Sequence, residues 1–552
     1  MKTAPPHPPA WSRRSDVLLL AAFCAFLFFF GLSYFGLVGA DEPRYAQVAR
    51  EMFARNDWIT PTLGGKPWLE KPALYYWQAM LAYGIFGVSD WAARLVSALD
   101  ATVMVIAVYF FLRRFRPGAT SAEPQLQSFH LDGALMTASA SGVIGFARAA
   151  STDMPLAAMF TVAMLAWYGW HESGGKRYLA VSYIFLGLAT LAKGPVALFF
   201  AAVIVVLFAA AKSDYRLIVR TCWLPGIALC AAVTLPWYVA VQLRNPEFFR
   251  VFILQHNLAR FGMDLYHHTE PFWYYLPVVL LGLVPWTIFV IAALIESIRV
   301  WWREKREMFR SEDAWPGFLV IWLVVPVIFF SFSASKLPGY ILPAFPAGTL
   351  LLADYVRRHL ADDDRPHFIL IVLHSIVASL PVIAALMVQY IVLQHTLPRN
   401  RAFAISCAFA AVLAVGIALT LRGRVGLRVL RFVTLVPIVL AVAAVLRLGA
   451  PALDATLSAR PLSQEISRVD NRSLPLAILQ LPRETEYGLQ FYRNQNISRY
   501  ELGQAPDGEH LLVTREGQQK NIARWTAGRR TTYLGSFAPQ GFDYYWVAGK
   551  SK

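Results

Sequence analysis

The stretch GLVGADEPRYAQVAREMFARND sets Asp41, Glu42 and Arg44 side by side, straight after the nearly unbroken apolar run DVLLLAAFCAFLFFFGLSYF. Carboxylates beside a guanidinium can position a phosphate or an amine, take up a proton, or stabilise positive charge at a reacting carbon. A plainer reading competes. Asp41 would cap a helix with Pro43 at its start, where a missing N–H costs nothing. Capping accounts for Asp41 but not for the acid and the arginine crowded next to it at an apolar boundary.

Five further segments carry side chains that could do chemistry. TLGGKPWLEKPALYYW holds Lys66, Glu70 and Lys71, and its glycine spacing excludes a nucleotide-binding P-loop. Lys71 is a candidate for holding a phosphate, since a point-charge ammonium stabilises an anionic leaving group. Against that, lysines beside membrane helices commonly snorkel to the interface. In RAASTDMPLAAMF, Asp153 is either a helix cap or a carboxylate delivered to the same face as Asp41. Lys193, in the tight apolar turn LAKGP, needs an anion from protein or ligand. FILQHNLARFG carries His256, Asn257 and Arg260, with His267 and His268 following. Glu70 and His256 supply two ligands toward a divalent metal, Zn or Mg/Mn. A catalytic zinc usually takes three protein ligands, so a hydrogen-bonded loop is the competing reading. Finally, SKLPGYILPAFPA places Lys336 and Tyr340 where prolines break helices. Freed backbone groups there need a polar or watery cavity, as around a lipid headgroup.

These groups need a scaffold, and composition says which kind. Of 552 residues, 57% are hydrophobic and only 16% charged, against about 25% charged in a soluble domain. Apolar blocks recur at membrane-crossing length, which is about 20 residues of helix. They fall near 16–38, 91–112, 129–148, 151–170, 177–192, 194–211, 219–241, 273–297, 315–334, 340–356, 368–391, 402–421 and 427–447. This is an all-α polytopic membrane protein with about thirteen spans. The net charge of +16 gathers in short loops at alternate boundaries, which argues against a nucleic-acid partner and sets the N-terminus in the cytoplasm. The first span, preceded by Arg13 and Arg14, reads as a retained signal anchor. The four cysteines lie in or beside apolar stretches and read as small buried hydrophobes.

An odd span count puts the longer loops, 39–90 and 242–272, and the chain after 447 on the outer side. DEPRYAQVAREMF aligns Tyr45, Val48 and Met52 on one helical face, as in an amphipathic helix lying at the interface. EKPALYYWQAMLAYGIFG reads as a second, its aromatics suited to the headgroup region. Residues 1–447 are expected to form the transmembrane unit. Residues 448–552, with strand-like LPLAILQL, HLLVTRE, RTTYLGSF and YYWVAG and the helical ETEYGLQFYRN, are expected to form a small α/β domain outside the membrane.

ADEPRYA, GGKPWLEKPALYYW, STDMPLAAM, LAKGP and SKLPGYILPAFPA together resemble the bacterial undecaprenyl-phosphate aminoarabinose transferases, multi-spanning glycosyltransferases of the GT-C fold related to protein mannosyltransferases. The resemblance runs through most of residues 16–356. It implies transfer of 4-amino-4-deoxy-L-arabinose from undecaprenyl phosphate to lipid A phosphates on the periplasmic face of the bacterial inner membrane, which gives resistance to polymyxin and other cationic peptides. It implies a catalytic role for Asp41. Arg44, Tyr45, Lys71, Asp153, Lys193 and Tyr340 match cavity-lining positions, and Asp153 is taken as a second catalytic carboxylate. Glu42, Lys66, Arg260 and Lys336 are grouped with them as substrate-binding. The chain is expected to act as a monomer among membrane lipids. Two rivals remain at this stage. One is a polyprenyl-phosphate-sugar-dependent transferase acting on protein or another glycan. The other is a lipid transporter or flippase, which would place its coupling residues near the bilayer midplane.

Overall fold

A computed structural model of the protein describes residues 10–116, 129–259, 270–303, 314–361, 366–392, 398–423 and 426–550. Each apolar interval contains helix. The first runs are α1 (Ala10–Cys24), α4 (Asp90–Phe115), α5 (Phe129–Ser139), α6 (Ser141–Ala147), α7 (Asp153–Ser173), α8 (Lys176–Lys193) and α9 (Val196–Lys212). The segment between α1 and α4 adds α2 (Asp41–Arg55) and α3 (Leu74–Phe86). Five of the described helices are long and apolar enough to cross a membrane, and a bent pair would make six.

Two of the broken apolar intervals lie together. Residues 129–148 split into α5 and α6 at Ala140, and 273–297 into Tyr275–Gly282 and Thr287–Arg303, at 116° to each other. The breaks meet: Ser141 N–H donates to Val284 O at 2.8 Å and its hydroxyl donates to Leu281 O. Non-helical backbone at membrane depth is tolerable only when protein satisfies it in this way.

α2 and α3 do not lie on lipid with their marked faces. Tyr45, Val48 and Met52 are buried in a protein core with Tyr75, Tyr76 and Tyr83 of α3. Tyr83 Oη donates to Ala46 O at 3.1 Å, and Tyr75 Oη to Ala93 O at 3.0 Å. α3 instead exposes Leu81, Ile85 and Phe86. The apolar face of α2 is thus covered by α3 rather than left open, and Tyr75 and Tyr83 find backbone acceptors within that core.

Between α2 and α3, Thr62–Leu63 (β1) and Lys66–Pro67 (β2) form a hairpin. Glu51 of α2 accepts from Thr62 Oγ1 at 2.7 Å and from Gly64 N at 2.8 Å, which pins the hairpin to the helix.

Beyond the last apolar helix comes a five-stranded mixed sheet of β3 (Leu476–Leu479), β4 (Ser498–Arg499), β5 (His510–Arg515), β6 (Thr531–Phe537) and β7 (Phe542–Val547). Its order is β4-β3-β5-β7-β6, with β3 parallel to β4 and β5 and the other pairs antiparallel. Alternating residues fill both faces. Leu476, Ile478, Leu511 and Val513 pack with Leu462, Ile466 and Leu489, while Ala477, Leu479 and Leu512 pack with Ile522.

Candidate active site

The site is built on a buried ion pair. Glu42 Oε2 lies 2.6 Å from Arg94 Nη2, with side chains 7% and 1% exposed. Glu42 also accepts from Ala150 N at 2.7 Å and Val38 N at 2.8 Å. Arg94 gives its remaining donors to the carbonyls of Leu32, Phe35 and Gly36. One carboxylate thus ties α2, α4 and the start of α7 to the segment leaving the first helix. Its oxygens are committed, so the expected substrate-binding role for Glu42 is corrected: it is an internal strut. A buried charge needs this degree of pairing.

Asp41 faces the other way, and its side chain is 52% exposed. It makes no capping bond. Ala40 occupies the cap position without a side-chain bond, and Pro43 is the third helical residue rather than the first. Asp41 pairs instead with Arg44 one turn on. The Arg44 guanidinium lies 5.2, 5.1 and 5.7 Å from the ring centroids of Tyr45, Trp68 and Tyr487. Glu70 is close enough for its charge to act on Arg44 and on Tyr76.

Asp153 opens α7, and again the cap reading is displaced. Ser151 Oγ accepts from Asp153 N at 3.0 Å and donates to Asp153 Oδ2 at 2.8 Å. The other carboxylate oxygen takes the Lys193 ammonium from the end of α8. That ammonium also lies 4.6 Å from the centroid of the Tyr340 ring. Gly339 explains how the SKLPGY loop comes so near: a Cβ there would meet Asp153 Cγ at 2.6 Å. The anion that Lys193 required is therefore supplied by the protein.

Tyr45 stands within electrostatic reach of both carboxylates. Burial raises the Tyr45 phenol well above its ordinary pKa, and the charges of both Asp41 and Asp153 push the same way. Lys71 reaches Asp153 electrostatically from the loop before α3. Residues from α2, the 66–73 segment, α7, α8 and the 338–344 turn thereby converge. Other candidates do not join them. Lys66 is exposed in the β1–β2 hairpin, and Lys336 is buried with its ammonium donating to Ser333 O at 2.6 Å. Arg260 and the His256 side chain lie outside the described residues. Among the described residues, no group of three or more His, Cys, Asp or Glu could hold a metal. A cavity of about 200 Å³ bordered by Asp132, Leu360 and Arg431 sits at the far ends of α5 and the helix Phe345–Ala361, away from this site.

ArnT from Cupriavidus metallidurans, crystallised with undecaprenyl phosphate, superimposes with a TM-score of 0.73 over 97% of this chain and 99% of that one, at 21% identity. The apo form of the same transferase gives 0.73 at 22% identity. The chain has the fold of that transferase. In sequence, the family described as dolichyl-phosphate-mannose-protein mannosyltransferase matches residues 15–252. The undecaprenyl phosphate-alpha-4-amino-4-deoxy-L-arabinose arabinosyl transferase of Edwardsiella ictaluri is 32% identical over 58% of this chain. Transferase 1 of that name from Pseudomonas fluorescens is 30% identical over 71%. The chain spans 55% and 66% of the lengths of these two relatives.

Within this site, sequence reasoning missed Arg94, Trp68 and Tyr487. Arg94 left a signal: it is a lone arginine inside the apolar interval 91–112, where a charge is costly and marks a role. Nothing in the local sequence ties Tyr487 to Arg44, since 443 positions separate them in the chain.

Proposed function

We propose that this chain moves 4-amino-4-deoxy-L-arabinose from undecaprenyl phosphate to the phosphates of lipid A at the periplasmic face of the inner membrane, giving resistance to polymyxin and cationic peptides. The observation that carries this reading is the convergence of the Asp41–Arg44 pair and of Asp153, with Lys193 and Lys71 beside it, on either side of Tyr45, on the fold of a transferase crystallised with undecaprenyl phosphate. In this reading the thirteen apolar intervals are spans, the N-terminus is cytoplasmic, and residues 448–552 form an α/β domain outside.

A phosphate acceptor is already anionic at neutral pH, with a second pKa of about 6, so it needs little help from a base. An acceptor oxygen attacks the anomeric carbon as the bond to the carrier phosphate breaks. The sugar inverts, and the electron pair leaves with undecaprenyl phosphate. Lys71 and Arg44 stabilise that departing phosphate. The exposed Asp41 carboxylate orients the acceptor phosphate or holds the sugar ammonium, and Asp153 fixes Lys193 and Tyr340 on the opposite wall. The candidate acids gather at one end of the bundle, which favours this over a transporter with midplane coupling residues.

The test is lipid A mass spectrometry in a transferase-null strain carrying the wild-type chain or Asp41→Asn. Aminoarabinose adducts with the wild type and their loss in the variant, at equal membrane abundance, are expected. Unmodified lipid A with the wild type, or protein glycosylation in its place, overturns the assignment.

A further inference from the structure

We propose that the helix Arg483–Arg493, which follows strand β3 some 430 residues after α2, completes the active site, with Tyr487 as the residue that positions Arg44. The inference rests on the reading of Arg44 as part of the site.

The helix packs against the sheet through Leu489, as the sequence leads one to expect, and its other side lies along α2. Arg50 of α2 donates to Phe491 O at 2.7 Å, and Phe491 is buried in the same core as Tyr45, Val48 and Tyr76. Tyr492 Oη accepts from Leu37 N at 2.7 Å, and Asp454 accepts from Gly36 N at 2.7 Å. Arg460 reaches the carbonyls of Ser33 and Tyr34 and pairs with Asp90 at 2.8 Å. Gly36 is needed for this approach, because a Cβ would meet Ser458 Oγ at 2.3 Å and Tyr492 Oη at 2.5 Å. The segment entering α2 is therefore gripped at successive residues just before Asp41.

Tyr487 sits one turn before that grip. Its ring is the third side of the enclosure around the Arg44 guanidinium, after Tyr45 and Trp68. Tyr45 and Trp68 come from the segment that carries the site. Tyr487 comes from the other end of the chain. Rings on several sides hold a guanidinium electrostatically and restrict its tilt. A fixed guanidinium in turn fixes the Asp41 carboxylate with which it pairs. Tyr487 is then a positioning residue that acts on Asp41 through Arg44.

The test uses the full-length protein in detergent–lipid micelles, with undecaprenyl phosphate-linked aminoarabinose as donor and lipid A as acceptor. Tyr487→Ala is expected to lower kcat roughly tenfold with an unchanged unfolding midpoint, and Tyr487→Phe to restore the wild-type value. In an Arg44→Gln background, Tyr487→Ala is expected to cost nothing further. Equal losses in both backgrounds, or wild-type kcat in Tyr487→Ala, overturn the proposal while leaving the transferase reading standing. A lowered midpoint shared by Ala and Phe reduces Tyr487 to packing and overturns it as well. Full activity of Arg44→Gln alone would remove Arg44 from the site, and this proposal with it.

Discussion

Adjacent carboxylates in one helical turn end in opposite environments, because Arg94 reaches Glu42 while Asp41 is left at a half-open surface. Their variants should separate stability from activity. Glu42→Gln strands a buried guanidinium, and breaking such a pair costs about 3–5 kcal/mol. The unfolding midpoint of the purified protein should fall accordingly, and an unchanged midpoint would deny Glu42 its role as strut. Asp41→Asn touches an exposed group, whose replacement shifts stability by less than about 0.5 kcal/mol, so lipid A modification should vanish at a wild-type midpoint. Asp153→Asn belongs with both. It leaves Lys193, 11% exposed, without its anion, so stability and transfer should drop together.

At the scale of elements, Gly339 leaves no room for a side chain beside Asp153. Gly339→Ala puts a methyl group against Asp153 Cγ and Phe146, so the turn Pro338–Ala344 must retreat and take Tyr340 from Lys193. A misplacement near 1 Å can cost about a hundredfold in rate. A kcat within twofold of wild type would show that the contact is slack. The helices themselves were legible beforehand, since uninterrupted apolar runs punctuated by arginines leave few other readings. The breaks at Ala140 and near Leu283 were not, because each is stabilised by the other across 140 residues. The same limit hid which acids do what. Asp41 and Asp153 carry the local signature of caps, and only packing shows that Ser151 takes the bond at one and that the other goes uncapped. Lys193 could be read as needing an anion, but not which one.

For the molecule as a whole, the sheet should be the acid-sensitive part. His510 is buried, bonded through Nδ1 to Gly508 O at 2.8 Å and through Nε2 to Tyr500 Oη. Burial holds its pKa below the ordinary 6.5, so the native sheet binds fewer protons than the unfolded chain as pH falls through that value. The stability it contributes is present above about pH 6.5 and declines below it. Hydrogen exchange of β5 and β7 in the intact protein, corrected for intrinsic rates, should quicken between pH 7.5 and 5.5. Unaltered protection would exclude His510 as the cause. The grip of Asp454 and Tyr492 on Gly36 and Leu37, across 418 and 455 positions, also sets a timetable for biogenesis. A ribosome adding about 5–20 residues per second leaves the entry to α2 without its clasp for roughly 20 to 90 s. Nascent chains stalled ahead of residue 454 should therefore be cut by added protease near residues 33–40, and the finished protein should resist.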